Sequence, residues 1–372
     1  MNHGASVPRS PRHGGNRRAL AARAGRAPGD IIDFSANINP LGMPVSARAA
    51  LRAALADLGD YPDPDCSELR SAIADHLEVS PERVLPGNGT EQLIWWLPRL
   101  LGARRVVVTA PCYLDYRRAA AVWGLDVAEV LLERASDFDL DPARLAAVVR
   151  DGDLVWIGRP NNPTGRLVDL DLLGTLASAR PRAWWAVDEA FLDFAAGACS
   201  AAGLRLDNLL VMRSMTKFYA LAGLRLGFAV LPPELVGAGR ELLPEWSVST
   251  LAQRAGVAVL TDPGLAAYAA HTRELIRRER TALAGALRGL GATVVDAAAN
   301  YLLLRLPDTA PDGADLAELL LCRFGIAVRT CDDYVGLGGR YLRVAVRGQA
   351  DNRRLITALA EALRLRARRS EA

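Results

Sequence analysis

NLLVMRSMTKFYALAGLRLGFAVL, residues 208–231, contains two apolar runs separated by a polar loop. NLLVMRS (208–214) and RLGFAVL (225–231) have the length and β-branched, apolar character of strands buried in a sheet. The loop between them holds Lys217, the only lysine among 45 Lys and Arg residues. This stretch therefore predicts a strand, a functional loop and a second strand.

The same strand pattern recurs upstream in RRVVVTAP (104–111), DLVWIGRP (153–160) and AWWAVDEA (183–190). Helical patterns separate these runs, and strands that alternate with helices predict an α/β fold with a mostly parallel, doubly wound sheet. From about residue 260 the order changes to a long helix, strands, a helix, a strand and a closing helix. We therefore predict an arm (1–30), a large domain (31–260, with 31–55 packing with the small domain) and a small α+β domain (261–372).

Bulk composition argues against several functions. The net charge of +3 is small for 372 residues, so a nucleic-acid partner is not indicated. No apolar run reaches about 18 residues, so we expect no membrane span. The four histidines have no metal-ligand spacing, so we expect no metal. The cysteines are widely scattered and odd in number, which favours reduced thiols in a cytoplasmic protein. The cysteines are Cys66, Cys112, Cys199, Cys322 and Cys331.

Lys217 has either a trivial or a chemical explanation. A coding bias can replace surface lysines with arginines, and a single remaining lysine is then an accident without functional meaning. A guanidinium, however, cannot lose its proton in a protein, whereas an amine with a lowered pKa becomes a nucleophile that binds aldehydes. The neighbouring motifs decide between the two.

Polar motifs follow three successive predicted strands: RPNNPTG (159–165), VDEAF (187–191) and SMTK (214–217). Open α/β sheets bind ligands at these strand ends. An amine, a carboxylate and an amide suit pyridoxal 5'-phosphate, with Lys217 on the aldehyde, Asp188 on the ring nitrogen and Asn162 on the phenolic oxygen. Separately, each motif is equally well explained as a loop or a helix start.

VLPGNGTEQLIWWL (84–97) places a glycine-rich turn directly before an apolar helix. Backbone N–H groups at a helix start bind anions, so this turn is a candidate phosphate site. Tyr113 follows the next strand and is a candidate for stacking on the cofactor ring. The candidate phosphate ligands are Gly89, Thr90, Glu91, Ser214 and Arg225.

The joint order of PGNGTEQ, NNPTG, VDEAF and SMTKFYALAGLRLG resembles fold-type I pyridoxal-phosphate enzymes of the aspartate aminotransferase superfamily, near the histidinol-phosphate aminotransferases. The resemblance runs from about residue 13 to 363. It implies that Lys217 binds the cofactor covalently and that Asp188 supports its electron-withdrawing ring.

The ends of the chain resemble the threonine-phosphate decarboxylase family of cobalamin biosynthesis. The segments are HGGN (13–16), IDFSANINPLG (32–42), YPDPDCSELR (61–70), EWSVSTLAQ (245–253) and 328–352. The resemblance implies a small phosphorylated amino acid as substrate. It places Arg343 on the carboxylate, and Tyr61 near the cofactor phosphate of a neighbouring subunit in a homodimer. The residues implied for the substrate phosphate are Arg329, Asn39, Arg347 and His13.

Two positions depart from these patterns. Phe191 stands where the aminotransferases carry tyrosine, so no hydroxyl is available to the cofactor there. Ser249 stands where the decarboxylases are expected to have asparagine. The leading hypothesis is decarboxylation of L-threonine O-3-phosphate. The alternatives are an aminotransferase for a phosphorylated amino acid such as histidinol phosphate, a related enzyme of specialised metabolism, and a binding protein on the same fold.

Overall fold

The computed structural model describes residues 14–370, with side chains described up to residue 364. The strands are β1 (Ile32–Asp33), β2 (Val84–Asn88), β3 (Arg105–Ala110), β4 (Asp126–Leu131), β5 (Asp153–Gly158), β6 (Trp184–Asp188), β7 (Leu209–Ser214), β8 (Leu226–Val230), β9 (Thr293–Val294), β10 (Tyr301–Arg305), β11 (Ile326–Ala327), β12 (Arg329–Thr330) and β13 (Tyr341–Ala345). The helices are α1 (Arg17–Ala24), α2 (Val45–Ala54), α3 (Ser67–Leu77), α4 (Gly89–Leu100), α5 (Asp115–Val122), α6 (Pro142–Val148), α7 (Leu170–Ala179), α8 (Pro233–Leu242), α9 (Thr250–Leu260), α10 (Leu265–Gly289), α11 (Gly313–Phe324) and α12 (Gln349–Ser370).

A seven-stranded sheet in the order β2-β8-β7-β6-β5-β3-β4 forms the centre of the large domain. The neighbours from β7 to β4 pair in parallel, and β8 runs antiparallel to both β7 and β2. The predicted α/β fold with a mostly parallel sheet is confirmed. All five strands predicted in this region are present within two residues of their expected ends.

Both faces of the sheet are buried, as a doubly wound sheet requires. Alternate residues enter two separate cores: Val155 and Val187 pack on one face, while Trp156 and Ala186 pack on the other. Continuous burial along β5 and β6 explains why their sequences are apolar throughout and do not alternate with polar residues.

Two strands of this sheet, β2 and β4, were not predicted. Pro86 and Gly87 interrupt β2, and both residues are typical of turns. The last strand in the sheet order is β4, and its residues are mostly partly exposed, so it lacks the apolar run of the central strands. The turn-type residues of β2 and the exposure of β4 therefore exclude both strands from a search for buried apolar runs.

A four-stranded antiparallel sheet, in the order β12-β13-β10-β9, forms the centre of the C-terminal region together with α10, α11 and α12. Strand β1 pairs in parallel with β11, Ile32 opposite Ile326, so the segment after the predicted arm joins this region. Helix α1 lies against α11, where Arg23 forms an ion pair with Glu318. The exact domain limits of 31–260 and 261–372 stay a prediction.

Among residues 14–370, no helix combines the length and the apolar character that crossing a bilayer would need.

Gly227 in β8 lies against the first turn of α4. A Cβ atom at this position would sit 2.4 Å from the Thr90 backbone nitrogen and 2.9 Å from the Gly89 carbonyl carbon. We expect Gly227→Ala to lower the free energy of unfolding by about 1–3 kcal/mol and to weaken cofactor binding, because the clash is with backbone. Urea denaturation and cofactor titration measure the two effects.

The matched control is Gly285→Ala on α10, where a Cβ atom would have no neighbour within 4 Å. Here we expect a gain of about 0.5–1 kcal/mol, from better helix propensity alone. Equal behaviour of the two variants would contradict the close approach of β8 and α4.

Candidate active site

A cavity of about 930 Å³ opens at the carboxyl ends of β5, β6 and β7. The start of α4 and the sheet of the C-terminal region complete its walls. Most of the predicted site residues line it, although they are spread over the chain. These are Asn39, Thr90, Glu91, Tyr113, Asn162, Asp188, Ser214, Lys217, Arg225, Arg329, Arg343 and Arg347.

Lys217 lies three residues after β7, and its Nζ donates a hydrogen bond of 3.3 Å to Ser214 Oγ. Burial lowers the pKa of Lys217 from 10.5 to about 8, and the nearby positive charges of Arg225 and Arg343 act in the same direction. The carboxylates of Asp188 and Glu91 oppose this effect without cancelling it. About a tenth of the amine is therefore neutral and nucleophilic at pH 7, where an ordinary lysine is almost fully protonated.

Asp188 is the last residue of β6 and is almost completely buried. Burial raises its pKa, while the Tyr116 hydroxyl and the Ala190 N–H counteract this by donating hydrogen bonds of 2.6 and 3.0 Å to the carboxylate. A buried carboxylate held in this way is suited to pair with a protonated ring nitrogen.

Tyr116 is a site residue that sequence reasoning missed. It lies on α5, and its ring stacks on Trp156 with centroids 4.4 Å apart. The available signal was the second tyrosine of PCYLDY, which follows Tyr113 by three residues at the start of α5. Tyr116 fixes the direction of the Asp188 carboxylate.

Tyr113 is held by an acidic partner at the start of α4. Its hydroxyl donates to Glu91 Oε2 over 2.7 Å, and Trp95 Nε1 donates to Glu91 Oε1 over 2.6 Å. The Tyr113 ring meets Tyr116 edge-on at 5.6 Å. Glu91 therefore has two features of interest. It lies in the first turn of α4, and it fixes the tyrosine that is predicted to stack on the cofactor.

The predicted phosphate cradle is formed by the first turn of α4. Gly89 has a φ of +71°, and the Asn88 side chain points away to donate to the Ser247 carbonyl at 2.9 Å, leaving the helix start without a side-chain cap. Arg225 lies so close to Gly89 that a Cβ there would be 2.6 Å from its guanidinium. Uncapped N–H groups beside an arginine form an anion site.

Two hydroxyls lie next to this cradle. Ser214 Oγ and Thr216 Oγ1 are 2.7 Å apart and both line the cavity. Thr216 was not predicted, although it stands between Ser214 and Lys217 in the sequence. The two hydroxyls add donors to the helix N–H groups.

Arg343 on β13 is buried and joins the two regions of the protein. Its Nη1 donates to Asn162 Oδ1 over 2.5 Å, and its Nη2 donates to the Ser35 carbonyl over 2.8 Å. Among the described residues its buried Nε has no hydrogen-bond partner. An orphaned guanidinium N–H at a cavity wall is suited to an anionic ligand.

Arg329 and Arg347 face the same cavity, and each is already paired with a carboxylate. Arg329 Nη2 lies 2.6 Å from Asp333 Oδ2, and Arg347 Nε lies 2.8 Å from Asp351 Oδ2. These pairs hold the two guanidinium groups in place at the cavity wall. Their predicted role on a substrate phosphate stays a prediction.

Asn39 lines the cavity, but its amide is engaged within the protein. Its Nδ2 lies 2.8 Å from the Phe218 carbonyl and 3.0 Å from Thr272 Oγ1, and its Oδ1 accepts from the Leu41 N–H. Its backbone N–H donates to the Lys217 carbonyl over 3.1 Å. The structure thus uses Asn39 to hold the lysine loop, and its proposed contact with substrate stays a prediction.

Three further predicted positions lie away from this cavity or outside the described residues. Tyr61 is 79% exposed and stacks on Trp246 at 4.5 Å. His13 lies outside the described residues. Ser249 caps α9 by accepting from the Ala252 N–H, so its local role is structural.

Phe191 contributes a ring to the site without any polar group. The Lys217 Nζ lies 5.8 Å from the centroid of that ring. Among the described residues there is no group of three or more His, Cys, Asp or Glu side chains arranged to hold a metal ion.

Comparison with known proteins places this geometry in a family. The sequence profile of the family described as aminotransferase class I and II matches residues 29–359. The chain belongs to this family. It is 39% identical to a threonine-phosphate decarboxylase of Salmonella typhimurium, over 94% of this chain and 96% of the relative.

Two other matches differ in what they show. An adenosylcobalamin biosynthesis bifunctional protein CobDQ of Leptospira interrogans is 32% identical over 94% of this chain, which corresponds to 40% of that longer protein. The solved histidinol-phosphate aminotransferase of Sinorhizobium meliloti, in complex with pyridoxal-5'-phosphate, superposes with a TM-score of 0.85 at 24% identity, covering 97% of this chain and 99% of that one. The latter likeness establishes the fold alone.

Enzymes of this family use pyridoxal 5'-phosphate, and the residues of the cavity fit that cofactor. The uncapped helix start with Arg225 and Ser214 matches a phosphate, and Asp188 matches a protonated pyridine nitrogen. Lys217, with its lowered pKa, matches an aldehyde.

Because the chain contains one lysine, amine labelling reports on Lys217 directly. With cofactor-free protein we expect the rate of Lys217 modification by trinitrobenzenesulfonate to rise with pH through a midpoint near 8, because only the neutral amine reacts. Peptide mass spectrometry separates it from the N-terminal amine. Asp188→Asn should move the midpoint lower, since the carboxylate raises the pKa of Lys217. A midpoint near 10.5 in the unaltered protein would contradict the effect of burial.

Proposed function

We propose that this protein decarboxylates L-threonine O-3-phosphate with pyridoxal 5'-phosphate, giving CO2 and (R)-1-amino-2-propanol O-2-phosphate for cobalamin biosynthesis. The observation that carries the proposal is a single cavity with Lys217 and Asp188 on the wall of the large sheet and three arginines on the opposing region. The name of the Salmonella relative, which matches along nearly its full length, supports the reaction.

The large sheet and α4 hold the cofactor. Lys217 would bind its aldehyde, Asp188 would pair with its ring nitrogen, and Asn162 would hydrogen-bond its phenolic oxygen. The N–H groups of residues 89–91, with Ser214 and Arg225, would hold its phosphate, and Tyr113 would cover the ring. When bound, the cofactor withdraws electrons from the substrate's Cα, which lowers the barrier to loss of CO2.

Arg343 binds the carboxylate of the substrate. Its guanidinium has an unpartnered Nε–H and is fixed by Asn162 and Ser35. Arg329 and Arg347, with Asn39 and His13, hold the phosphate at the other end of the substrate. Two anchored anions fix the orientation of the bonds at Cα, and that orientation determines which of them is broken.

Lys217 completes the reaction by giving a proton to Cα after CO2 has left. A pKa near 8 leaves most of the free amine protonated at pH 7, so Lys217 can supply that proton. Phe191 leaves the amine without a phenol hydroxyl at that position. Ser214 Oγ is then the hydroxyl within reach of Nζ.

Decarboxylation is tested with purified holoenzyme and L-threonine O-3-phosphate. We expect stoichiometric CO2 and aminopropanol phosphate, and Lys217→Ala should lower kcat by about 10²–10⁴-fold or more. Arg343→Gln should raise KM by about tenfold to a hundredfold, because a charged hydrogen-bond partner of the carboxylate is lost.

The control reaction is histidinol phosphate with 2-oxoglutarate. Keto-acid turnover in that mixture, without CO2 from phosphothreonine, would overturn the decarboxylase and establish an aminotransferase. Retained activity in Lys217→Ala would overturn the role of the lysine.

We also propose that the protein is a cytoplasmic homodimer whose sites are shared between subunits, with neither a nucleic acid nor a membrane as partner. Exposed large apolar side chains support the dimer: Val45, Leu55, Leu58, Tyr61 and Trp246 are between 45% and 83% exposed, and Tyr61 stacks on Trp246. Tyr61 is exposed and does not line the cavity of its own chain, which supports a role for it in the site of a second copy. The five unpaired thiols support a reducing compartment.

Sharing of sites is tested by combining two defective chains. Lys217→Ala and Tyr61→Ala proteins, co-expressed with different tags, give a heterodimer in which one site carries both changes and the other carries none. We expect that heterodimer to show about half of the wild-type activity per dimer, as two-fold symmetry requires. Activity no higher than that of the two parent homodimers would contradict a shared site.

A further inference from the structure

Tyr301 on β10 lies behind the cavity wall rather than on it, and it contacts three parts of the site. Its hydroxyl donates to the Asn161 carbonyl over 2.7 Å, its ring meets Phe191 edge-on at 4.9 Å, and the Arg343 guanidinium carbon lies 5.5 Å from its ring centroid. Tyr301 is completely buried. Tyr301 thus contacts Arg343, Phe191 and the 161–162 loop.

Sheet register explains why Tyr301 and Arg343 meet. Leu303 is directly opposite Arg343 in the β10–β13 pair, and Tyr301 is opposite Ala345. Tyr301 and Leu303 share a face because strand side chains alternate, so Arg343 is one diagonal step from Tyr301 on the same face. An aromatic side chain spans that diagonal.

The contact restricts a side chain that is otherwise flexible. A guanidinium binds a carboxylate through two N–H groups that lie in one plane. The orientation of that plane must therefore match the carboxylate before the ligand binds. The Asn162 oxygen and the Ser35 carbonyl fix two of its nitrogens, and the face of the Tyr301 ring limits rotation of the plane. The hydroxyl bond to Asn161 in turn fixes the ring.

Tyr301 does not take part in proton transfer. Burial raises its pKa well above the usual range, and its hydroxyl proton is used on a backbone carbonyl. Its effect on a ligand must therefore pass through Arg343 and the 161–162 loop.

We propose that Tyr301 is a positioning residue that orients Arg343 and so gives the site its preference for ligands that carry a carboxylate. This proposal rests on the proposed function, in which Arg343 binds the substrate carboxylate. It predicts an effect on carboxylate recognition that is separate from phosphate recognition, because the proposed product keeps the phosphate and lacks the carboxylate.

The test compares two ligands on holoenzyme reduced with borohydride, which binds ligands without turning them over. Calorimetry gives the dissociation constants of L-threonine O-3-phosphate and of 1-amino-2-propanol O-2-phosphate. We expect Tyr301→Leu to weaken the first about tenfold to thirtyfold and the second less than about twofold. Tyr301→Phe, which keeps the ring and loses only the hydroxyl bond, should weaken the first by about threefold to tenfold.

Tyr334→Leu is the matched control. Tyr334 is also buried, and the Arg329 guanidinium carbon lies 5.2 Å from its ring centroid. Because Arg329 is proposed to hold the phosphate, which both ligands carry, their affinities should change alike. Selective loss of the carboxylate-bearing ligand in this variant as well would overturn a specific role for Tyr301.

Equal losses for the two ligands in Tyr301→Leu, or no loss for either, would also overturn the proposal. If Tyr301→Leu does not fold, Tyr301→Phe decides, and a change below about twofold in the ratio of its two affinities counts against the proposal. Arg343→Gln separates the two levels of the argument. If that variant keeps its preference for phosphothreonine, Arg343 does not bind the carboxylate, and the proposed role of Tyr301 is wrong as well. Release of CO2 tests the reaction independently of both residues.

Discussion

A buried carboxylate, Glu189, connects the strand ends on which the whole site is built. It lies 3.2 Å from Arg159 and 3.3 Å from Arg213, and it accepts a hydrogen bond of 2.6 Å from Ser200. Each of the three charged residues is close in sequence to a residue of the site. Arg159 precedes the loop that holds Asn161 and Asn162, Glu189 follows Asp188, and Arg213 precedes Ser214. Leaving a buried charge without its partner is very costly. The folded position of each of these three strand ends therefore depends on the other two.

This arrangement explains how residues far apart in sequence form one cofactor site. Backbone bonds reinforce it, since the Arg159 N–H donates to the Asp188 carbonyl at 2.8 Å and the Glu189 N–H donates to Met212 at 2.9 Å. The ion cluster sits directly behind residues that must face a ligand. Rigid support of this kind is what keeps reacting groups in place without a bound substrate.

The C-terminal region is attached at the same place. Arg343 and Tyr301 both bind the 161–162 loop, and Arg166, a few residues further on, donates from Nη1 to the Asp296 carbonyl over 3.4 Å. Gly165 permits the close approach, since a Cβ there would lie 2.4 Å from the Ala297 side chain. The residues proposed to bind substrate and those proposed to bind cofactor therefore meet at one loop.

Sequence reasoning recovered what is local. The buried strands and the lone lysine carry strong signals in composition, and the α/β fold followed from them. It missed Thr216, which stands between two predicted residues, and it missed Tyr116 and Tyr301, whose partners are distant in the chain. It also could not show that the Asn39 amide is already engaged by Phe218 and Thr272. Long-range contacts of this kind depend on tertiary packing, which no single stretch of sequence records.

The placement of hydroxyl groups around Lys217 has a chemical consequence. Phe191 presents a bare ring to the amine, and the hydroxyl of the adjacent Tyr301 is directed away to the Asn161 carbonyl. The low pKa of Lys217 is thus produced by burial and by two nearby arginines, and a phenol beside it plays no part. The hydrogen bond from Lys217 Nζ to Ser214 Oγ is long, at 3.3 Å, so it restrains the amine only weakly. In the proposed reaction, the fixed arginines would hold the anionic groups of the ligand while the weakly restrained amine supplies a proton to Cα after CO2 is lost.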